Sequence, residues 1–216
     1  MLGTKIKELL RFIPSEDVSY GRQIADELAE HLCLEVVECL GEGLQGQAFL
    51  MNSGQVLKIT NDESEYFVCT SLINKSVKHI YKIYSTYRLR VNVGDLFGIL
   101  EERLDTSDVE SLNEFERVTD FSNFCRKFIN GNTHYSPSDF SELRSEADSI
   151  ICSYPRYLFF VNQFVEMTLA SLSVGVTSSD MHANNIGRKG DHLVLFDLGF
   201  SNTVFKEEGF TLSMSI

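Results

Sequence analysis

Three side chains that carry oxygen ligands lie close together near the end of the sequence: Asp180, Asn185 and Asp197. Carboxylate and amide oxygens suit a hard, octahedral cation such as Mg²⁺, and no cysteine lies in this stretch. The pattern therefore allows a magnesium site. It equally allows ordinary turn and strand-end residues, because Asp and Asn favour such places for their backbone hydrogen bonds.

A β-hairpin is predicted to bring these side chains together. Two apolar runs flank residues 189–192, where Gly-Asp is a turn signal, so the midpoint of the hairpin falls near Asp191. Asn185 lies six residues before that midpoint and Asp197 six residues after it. In an antiparallel pair such positions face each other, with β-carbons roughly 5 Å apart. Asp180 is expected to enter the same open end from a loop.

Composition narrows the class of protein. The 216 residues contain 43% hydrophobic residues, with 16 Phe and 8 Tyr, which predicts a folded core in one domain or two small lobes. The formal net charge of −12 opposes nucleic acid or an anionic membrane as the primary partner. An anionic small molecule would need a metal ion or a few well-placed cations.

The cysteines indicate neither a disulfide framework nor a zinc site, because they are five, scattered and never spaced as Cys-x-x-Cys. No apolar run of about 18 residues and no signal-peptide pattern is present. We therefore expect a cytoplasmic protein without a membrane partner.

A glycine-rich pattern, Gly-x-Gly-x-x-Gly, follows a predicted strand and consists of Gly41, Gly43 and Gly46. A dinucleotide-binding turn shares this pattern but requires a helix next and an acidic residue about 20 positions later. This chain continues instead with β-prone residues 47–51, a turn and β-prone residues 55–60. The prediction is a hairpin whose backbone amides could approach phosphate oxygens, or a flexible hairpin tip with no ligand.

A lysine and a glutamate follow this hairpin. Strand alternation places Lys58 and Val56 on one face, and a lysine between apolar residues needs an anionic partner unless it reaches solvent at an edge. Glu65 begins the apolar stripe of a helix predicted over residues 62–75, whereas Glu63 is the reserve candidate. The pattern indicates a Lys58–Glu65 ion pair, although acids at helix N-termini are also common for dipole reasons.

The other elements predict an α+β fold. Residues 1–35 are expected to form two helices that brace the rest, and β-rich segments at 79–89 and 96–104 complete a five-stranded antiparallel sheet. Helical periodicity predicts one or two helices within residues 107–129 and further helices at 140–152 and 156–172.

The ordered set of motifs resembles the protein-kinase-like superfamily. The glycine hairpin, strand lysine and helix glutamate are followed by Glu101-Glu102, Asp-x-x-x-x-Asn and Asp-x-Gly in that order. Residues 179–186, Ser-Asp-Met-His-Ala-Asn-Asn-Ile, look especially like the corresponding segment of the small serine/threonine kinases of short-tailed bacteriophages. The histidine two positions after the aspartate also resembles aminoglycoside phosphotransferases.

The resemblance spans roughly residues 36–201 and implies a two-lobed, protein-kinase-like fold. Residues 1–35 would form a helical brace and residues 36–104 an N-lobe with the five-stranded antiparallel sheet. Residues 105–216 would form a reduced helical C-lobe with the catalytic and metal-binding loops.

The resemblance implies an ATP site in the N-lobe. Gly41, Gly43 and Gly46 would cover the phosphates, and Lys58, oriented by Glu65, would hold the α- and β-phosphates. Residues 101–103 would bind adenine through their backbone. The residues that the resemblance assigns to the nucleotide are Gly41, Gly43, Gly46, Val56, Lys58, Glu65, Leu100 behind the adenine ring, Glu101 and Arg103.

The resemblance also implies catalytic roles. Asp180 would accept or orient the proton of the attacking hydroxyl, and Asn185 and Asp197 would hold Mg²⁺. His182 occupies the position of a lysine near the γ-phosphate in protein kinases, or it forms a local hydrogen bond. Lys58 completes the predicted catalytic set.

Three departures from the family pattern are present. Ser178 replaces the usual histidine of His-Arg-Asp, and Leu198 replaces phenylalanine in Asp-Phe-Gly. Only 17 residues follow Gly199, without an Ala-Pro-Glu signature. We therefore expect a substrate to dock differently from a peptide on a protein kinase, on the N-terminal helices or on residues 105–155.

The predicted function is an ATP- and Mg²⁺-dependent phosphotransferase, a serine/threonine protein kinase of phage or bacterial type with a protein substrate in a host cell. Its compartment would then be the host cytoplasm. The alternatives are a pseudokinase that binds nucleotide or a host protein, a small-molecule kinase, and a nucleotidyltransferase on the same fold. The sequence does not indicate an oligomeric state.

Overall fold

The computed structural model describes residues 19–43, 46–91, 94–131, 137–175 and 181–198. The helix predicted near residues 4–12, Ser178, Asp180 and Gly199 lie outside these ranges. Within them the fold is α+β, with six α-helices, a five-stranded antiparallel sheet and a two-stranded hairpin. The chain divides into two compact units, Met1–Lys75 with Lys82–Arg103 and Ser76–Tyr81 with Leu104–Ile216.

The first unit contains the sheet and two helices. In chain order its elements are α1 (Ser19–His31), β1 (Val36–Glu42), β2 (Gly46–Met51), β3 (Val56–Thr60), α2 (Glu63–Leu72), β4 (Ile83–Val91) and β5 (Gly94–Glu101). The strand order is β1-β2-β3-β5-β4, with every neighbouring pair antiparallel. The predicted five-stranded antiparallel sheet is therefore confirmed.

Helix α1 covers one face of this sheet. Gly98 makes room for the helix, because a β-carbon there would lie 2.6 Å from Cδ2 of Leu28. Leu57 and Ile59 point toward α1, so Lys58, which alternates with them, lies on the opposite face. The core under α1 consists of Ile24, Ala25, Leu28, Ala29, Phe49, Met51, Leu57, Ile59, Leu89 and Leu100.

Helix α2 packs on the opposite face, over strands β4 and β5. The Tyr66 ring stacks on the buried ring of Phe97, with the centroids 4.6 Å apart. Phe97 alternates with Leu96 and Gly98, whose side of β5 faces α1. The sheet is thus enclosed by one helix on each face, and Lys58 shares its face with α2.

The second unit is mainly helical. Its elements are α3 (Val109–Thr119), α4 (Phe121–Gly131), α5 (Pro137–Ser153), a short 3₁₀-helix (Pro155–Tyr157), α6 (Leu158–Ser173), a second 3₁₀-helix (Ala183–Asn185), β6 (Ile186–Lys189) and β7 (His192–Leu195). Aromatic packing forms part of its core, because the fully buried Phe115 ring contacts the rings of Phe121, Tyr157, Phe160 and Phe164. In the described part of the chain, no helix has the length and apolarity required to cross a bilayer.

The structure corrects several predicted boundaries. Strand β5 covers Gly94–Glu101 instead of residues 96–104, and α2 covers Glu63–Leu72 instead of residues 62–75. Strand β4 begins at Ile83 rather than His79, and Ile80 instead forms a parallel bridge with Leu195 of β7. The helix predicted from Arg156 begins as α6 at Leu158, because Pro155 opens a 3₁₀ turn before it.

Candidate functional site

The glycine-rich segment lies in the β1–β2 hairpin, with a hydrogen bond from Gly43 N–H to the carbonyl of Gly46 at 2.8 Å. Only a glycine fits at position 46, because a β-carbon would lie 2.3 Å from the carbonyl oxygen of Ile59. A β-carbon at Gly41 would meet no atom within 4 Å, and one at Gly43 would meet only the Gly46 carbonyl oxygen, at 3.9 Å. Packing therefore explains one of the three glycines.

The ion pair predicted from the sequence is present in the first unit. Nζ of Lys58 on β3 lies 2.6 Å from Oε1 of Glu65 on α2. The side chains are 15% and 2% exposed, so both charged groups are largely removed from water. The reserve candidate Glu63 is exposed and contacts Arg88 at 3.3 Å instead. Lys58 is therefore fixed by a buried carboxylate.

The start of α2 explains why Glu65 points inward. The Asp62 carboxylate accepts hydrogen bonds from the N–H groups of Ser64 at 2.8 Å and Glu65 at 3.2 Å. This N-cap satisfies two backbone groups that have no partner within the helix. The helix then buries Glu65 with Val68, Cys69 and Leu72 on one stripe, and from this stripe Glu65 contacts Lys58 on β3.

Strand register decides which neighbours share the Lys58 face. Lys58 pairs with Ile99 and Val56 pairs with Glu101, so these four residues point to the same side. Leu100 lies on the other side, in the core under α1. Its predicted position behind an adenine ring does not fit this register. The buried Ile99 is the residue that sequence reasoning missed, although strand alternation could have indicated it.

Residues 101–103, predicted to bind adenine through the backbone, begin at the last residue of β5. Glu101 is buried and ends that strand, whereas Arg103 is exposed. The N–H of Glu102 donates to the carbonyl of Lys82 at 2.9 Å, so this group already has a partner. Glu101 pairs with Val56 of β3 and with Ile83 of β4, and the role of Glu101 and Arg103 toward a nucleotide stays a prediction from the resemblance.

The second unit holds the predicted metal residues around the β6–β7 hairpin. Its two-residue turn places Gly190 at φ +61°, a left-handed conformation that favours glycine. Lys189 pairs with His192 and Ile186 with Leu195, so Asn185 lies opposite Phe196, whose N–H donates to the Asn185 carbonyl at 3.0 Å. The prediction that Asn185 faces Asp197 was wrong by one residue.

Asn185 belongs to a short turn that the His182 side chain stabilises. The N–H of Asn184 donates to Nδ1 of His182 at 3.3 Å, and Nδ2 of the buried Asn185 lies 3.2 Å from Nε2 of the same ring. The Asn185 N–H also donates to the His182 carbonyl at 2.8 Å. His182 therefore forms local hydrogen bonds, one of the two roles considered from the sequence. Met181 and Ala183 are buried on either side of it.

Asp197 follows β7 and is half-buried, and the next residue, Leu198, is fully buried. Among the described residues, no group of three or more His, Cys, Asp or Glu side chains could hold a metal ion. The amide of Asn185 and the carboxylate of Asp197 remain oxygen donors suited to Mg²⁺. Asp180, the third predicted member, lies outside the described ranges.

A carboxylate missed by sequence reasoning faces the His182 turn. Glu116 on α3 has a buried Oε1 atom that, within the described ranges, accepts no hydrogen bond. Burial raises the pKa of this carboxyl, while the nearby His182, the Ala183 N–H, Arg126 and Ser122 act in the opposite direction. The signal in the sequence was its spacing, since Glu116 follows the buried Leu112 by four positions.

Glu116→Gln should stabilise the fold increasingly as pH rises. The pKa of the Glu116 carboxyl is higher in the folded state than in the unfolded state. Between these two pKa values the folded state binds more protons, so the free energy of unfolding decreases as pH rises through that range. The neutral amide removes this loss. We expect a melting temperature about 2 °C above the unmutated chain at about pH 8 and little difference at about pH 4.

Calorimetric melts across this pH range would measure the effect, with Glu110→Gln as the control on an exposed position of the same helix. An equal gain in the Glu110 variant, or a gain for Glu116→Gln that shrinks toward high pH, would contradict the assignment of the effect to burial.

Comparison with known proteins finds no family model that matches this chain and no curated protein that matches its sequence. The resemblance to the protein-kinase-like superfamily therefore rests on the ordered motifs, and its functional consequences are proposals.

Proposed function

We propose that this protein is an ATP- and Mg²⁺-dependent phosphotransferase with a two-lobed, protein-kinase-like fold. The observation that carries the proposal is the Lys58–Glu65 ion pair, 2.6 Å long and largely buried, on the strand that follows the glycine-rich hairpin. A buried cation fixed by a carboxylate costs desolvation energy, so its position calls for an explanation beyond stability. Binding of nucleotide phosphates supplies one.

Lys58 and the glycine hairpin would bind the phosphates in this proposal. Glu65 limits the rotamers of Lys58, so the ammonium group is positioned before ATP arrives. Gly41 and Gly43 have open space where a β-carbon would lie, which leaves their backbone accessible to an approaching phosphate. Val56 shares the Lys58 face and would be the apolar contact for the base.

Asn185 and Asp197 would hold the Mg²⁺ ion, together with Asp180. The donor set fits this ion because it consists of oxygen atoms, and bound Mg²⁺ would neutralise charge on the phosphates. His182 would hold the Asn185 side chain in place, because its ring lies 3.2 Å from the amide. A metal also explains how a chain of net charge −12 could bind a polyanion.

Asp180 would accept or orient the proton of the attacking hydroxyl, as the Asp-x-x-x-x-Asn spacing implies. Phosphoryl transfer needs positioning and charge neutralisation more than covalent help, so this small set of groups is chemically sufficient. We propose a serine or threonine hydroxyl of a protein as acceptor and a cytoplasmic location, that of a host cell if the gene is phage-encoded.

The test is transfer of phosphate from ATP by the purified chain. Incubation with Mg²⁺ and γ-labelled ATP, with dephosphorylated casein as acceptor, should label casein or the chain itself, and intact mass should show additions of one phosphate each. Asp180→Asn should lower labelling about a hundredfold, the lower range for removing a general base. Equal labelling by both proteins would overturn the proposed role of Asp180.

The alternatives give different results in the same experiment. Label that enters the product from α-labelled ATP indicates nucleotidyl transfer. Stabilisation by ATP and Mg²⁺ without turnover indicates a pseudokinase. Phosphate on an aminoglycoside but not on casein indicates a small-molecule kinase, which the Asp-Met-His sequence at 180–182 also resembles.

A further inference from the structure

Strand β7 precedes Asp197, and the edge of β7 that does not pair with β6 forms hydrogen bonds with three residues, His79, Tyr81 and Gln163. The Leu193 N–H donates to Oε1 of the buried Gln163 on α6 at 2.7 Å, and the Leu193 carbonyl lies 2.8 Å from Nδ1 of His79. The Leu195 N–H donates to the His79 carbonyl at 3.0 Å, and its carbonyl accepts from Tyr81 N–H at 3.2 Å. Each backbone polar group on this edge of Leu193 and Leu195 thus has a partner.

The imidazole ring of His79 lies between two hydrogen-bond acceptors. Its Nδ1 faces the Leu193 carbonyl, which can only accept, and its Nε2 lies 2.6 Å from Oε2 of Glu166 on α6. A hydrogen bond from Lys78, at 2.8 Å, is the main cause that lowers the pKa of the Glu166 carboxyl, and His79 adds to it. Glu166 is therefore ionised at neutral pH and also can only accept.

A neutral imidazole carries one N–H, and it would leave one of these two short contacts without a proton. Both contacts are satisfied only when both ring nitrogens are protonated. The His79 side chain is 3% exposed, and its Nε2 faces the carboxylate of the exposed Glu166. The backbone of His79 has φ +69°, a left-handed conformation that a β-carbon disfavours.

The other charged groups around the ring are consistent with this state. Lys78 shares Glu166 with His79. The His192 ring of β7 meets His79 edge to face, with the centroids 5.3 Å apart, and its Nδ1 lies 3.2 Å from the Asp191 carboxylate in the hairpin turn. Two carboxylates, Glu166 and Asp191, therefore border this group of two histidines and one lysine.

We propose that His79 is a buried imidazolium that ties α6 to β7 and so positions Asp197. Its role toward Asp197 as a metal ligand rests on the proposed function, whereas its protonation and its hold on β7 do not. His79 acts through the strand and touches no reacting group, so it is a positioning residue. The residues of this site come from three separate parts of the second unit: Lys78 and His79, Gln163 and Glu166, and Leu193 to Leu195.

Nitrogen NMR of the ring in the complete chain tests the protonation directly. At neutral pH both ring nitrogens of His79 should show the shifts and proton couplings of an imidazolium, and the resonance is assigned by its loss in His79→Gln. A neutral pattern, with one nitrogen lacking a proton, would overturn the proposal.

Two further measurements on His79→Gln test the hold on β7, with His31→Gln, on an exposed position of α1, as the matched control. Without nucleotide, amide exchange at Leu195 and Asp197 should become faster in the His79 variant only. The Mg²⁺ concentration for half-maximal phosphoryl transfer should rise about tenfold, the lower range for removing an outer-shell partner of a metal ligand.

Unchanged exchange in His79→Gln, or equal changes in the control, would overturn the positioning role even if the ring is charged. If the unmutated chain transfers no phosphate, the proposed function fails instead. The ring spectrum and the exchange rates still decide the proposal about His79, because neither requires ATP.

Discussion

Lys58→Met is expected to lower kcat/KM for phosphoryl transfer about a thousandfold and to destabilise the fold. The activity loss follows from removing the cation proposed to contact the phosphates, since one such electrostatic contact contributes about 10²–10³ in rate. The stability loss follows from Glu65, whose side chain is 2% exposed and would remain buried without its lysine. Breaking a buried pair on one side costs about 3–5 kcal/mol.

A double variant separates the two effects. Lys58→Met with Glu65→Leu removes both charges, so urea unfolding should give a stability closer to that of the unmutated chain than Lys58→Met alone. Transfer should stay as low as in the single variant, because the cation is still absent. The stability of the double variant therefore shows whether Lys58 is retained for the fold or for a ligand.

The exposed pair Arg22–Asp26 on α1 is the matched control for the charge removal. Its side chains are 44% and 51% exposed, and Arg22→Met should cost no more than about 0.5 kcal/mol. If Lys58→Met unfolded at the same urea concentration as Arg22→Met, the result would contradict the predicted stability cost of breaking the buried pair. Retained transfer would refute the assignment of Lys58 to the phosphates.

Asp197→Asn is expected to lower transfer by at least about a thousandfold with little effect on stability. Asparagine keeps the size of the side chain and one oxygen but loses the negative charge that would bind Mg²⁺. A bound metal lowers the activation barrier by several kcal/mol, and each 1.36 kcal/mol of this lowering raises the rate about tenfold. Initial rates over a range of Mg²⁺ concentrations, with urea unfolding of the same samples, would measure both quantities.

Asp191→Asn provides the matched control for this experiment, because Asp191 has the same side chain in the exposed turn of the same hairpin. It should transfer phosphate at nearly the unmutated rate. A loss of equal size in both variants would indicate that transfer depends on the total negative charge of the hairpin and not on Asp197 in particular. An active Asp197→Asn protein would exclude Asp197 from the proposed metal site.

Local rules were sufficient to predict the ion pair. Strand alternation placed Lys58 on a defined face, and helical spacing placed Glu65 on the buried stripe, only seven residues further on. Both patterns concern side chains close in sequence whose elements are joined by a short connection. The hairpins of the five-stranded antiparallel sheet were predictable for the same reason, since turn signals separate their strands, whereas β3 pairs with β5 beyond the intervening helix α2.

One-residue errors arose where a face depended on register. The hairpin turn contains two residues between Lys189 and His192, so its midpoint lies half a residue before the predicted one, and Asn185 meets Phe196. Leu100 was assigned to the nucleotide although the adjacent Ile99 shares the Lys58 face. Side chains alternate with a period of two, so a shift of one residue reverses the face.

Contacts between distant residues had no local signal. His79 and the Leu193 carbonyl are separated by 114 positions, and His79 and Glu166 by 87. A single histidine between Lys78 and Ile80 gives no pattern from which such partners can be inferred. The same holds for Glu116 and the His182 turn, which tertiary packing alone brings together.

Strand β1 has a further consequence for ligand affinity. Every residue after Val36 in this strand is exposed, including the apolar Val37 and Leu40, and β1 forms one edge of the sheet. Few of its side chains are immobilised by packing, so a ligand that orders the glycine hairpin must offset the conformational entropy lost there. For the proposed nucleotide, part of the gross binding free energy would be used in ordering the hairpin, and such a ligand would dissociate more readily than one that binds a rigid site.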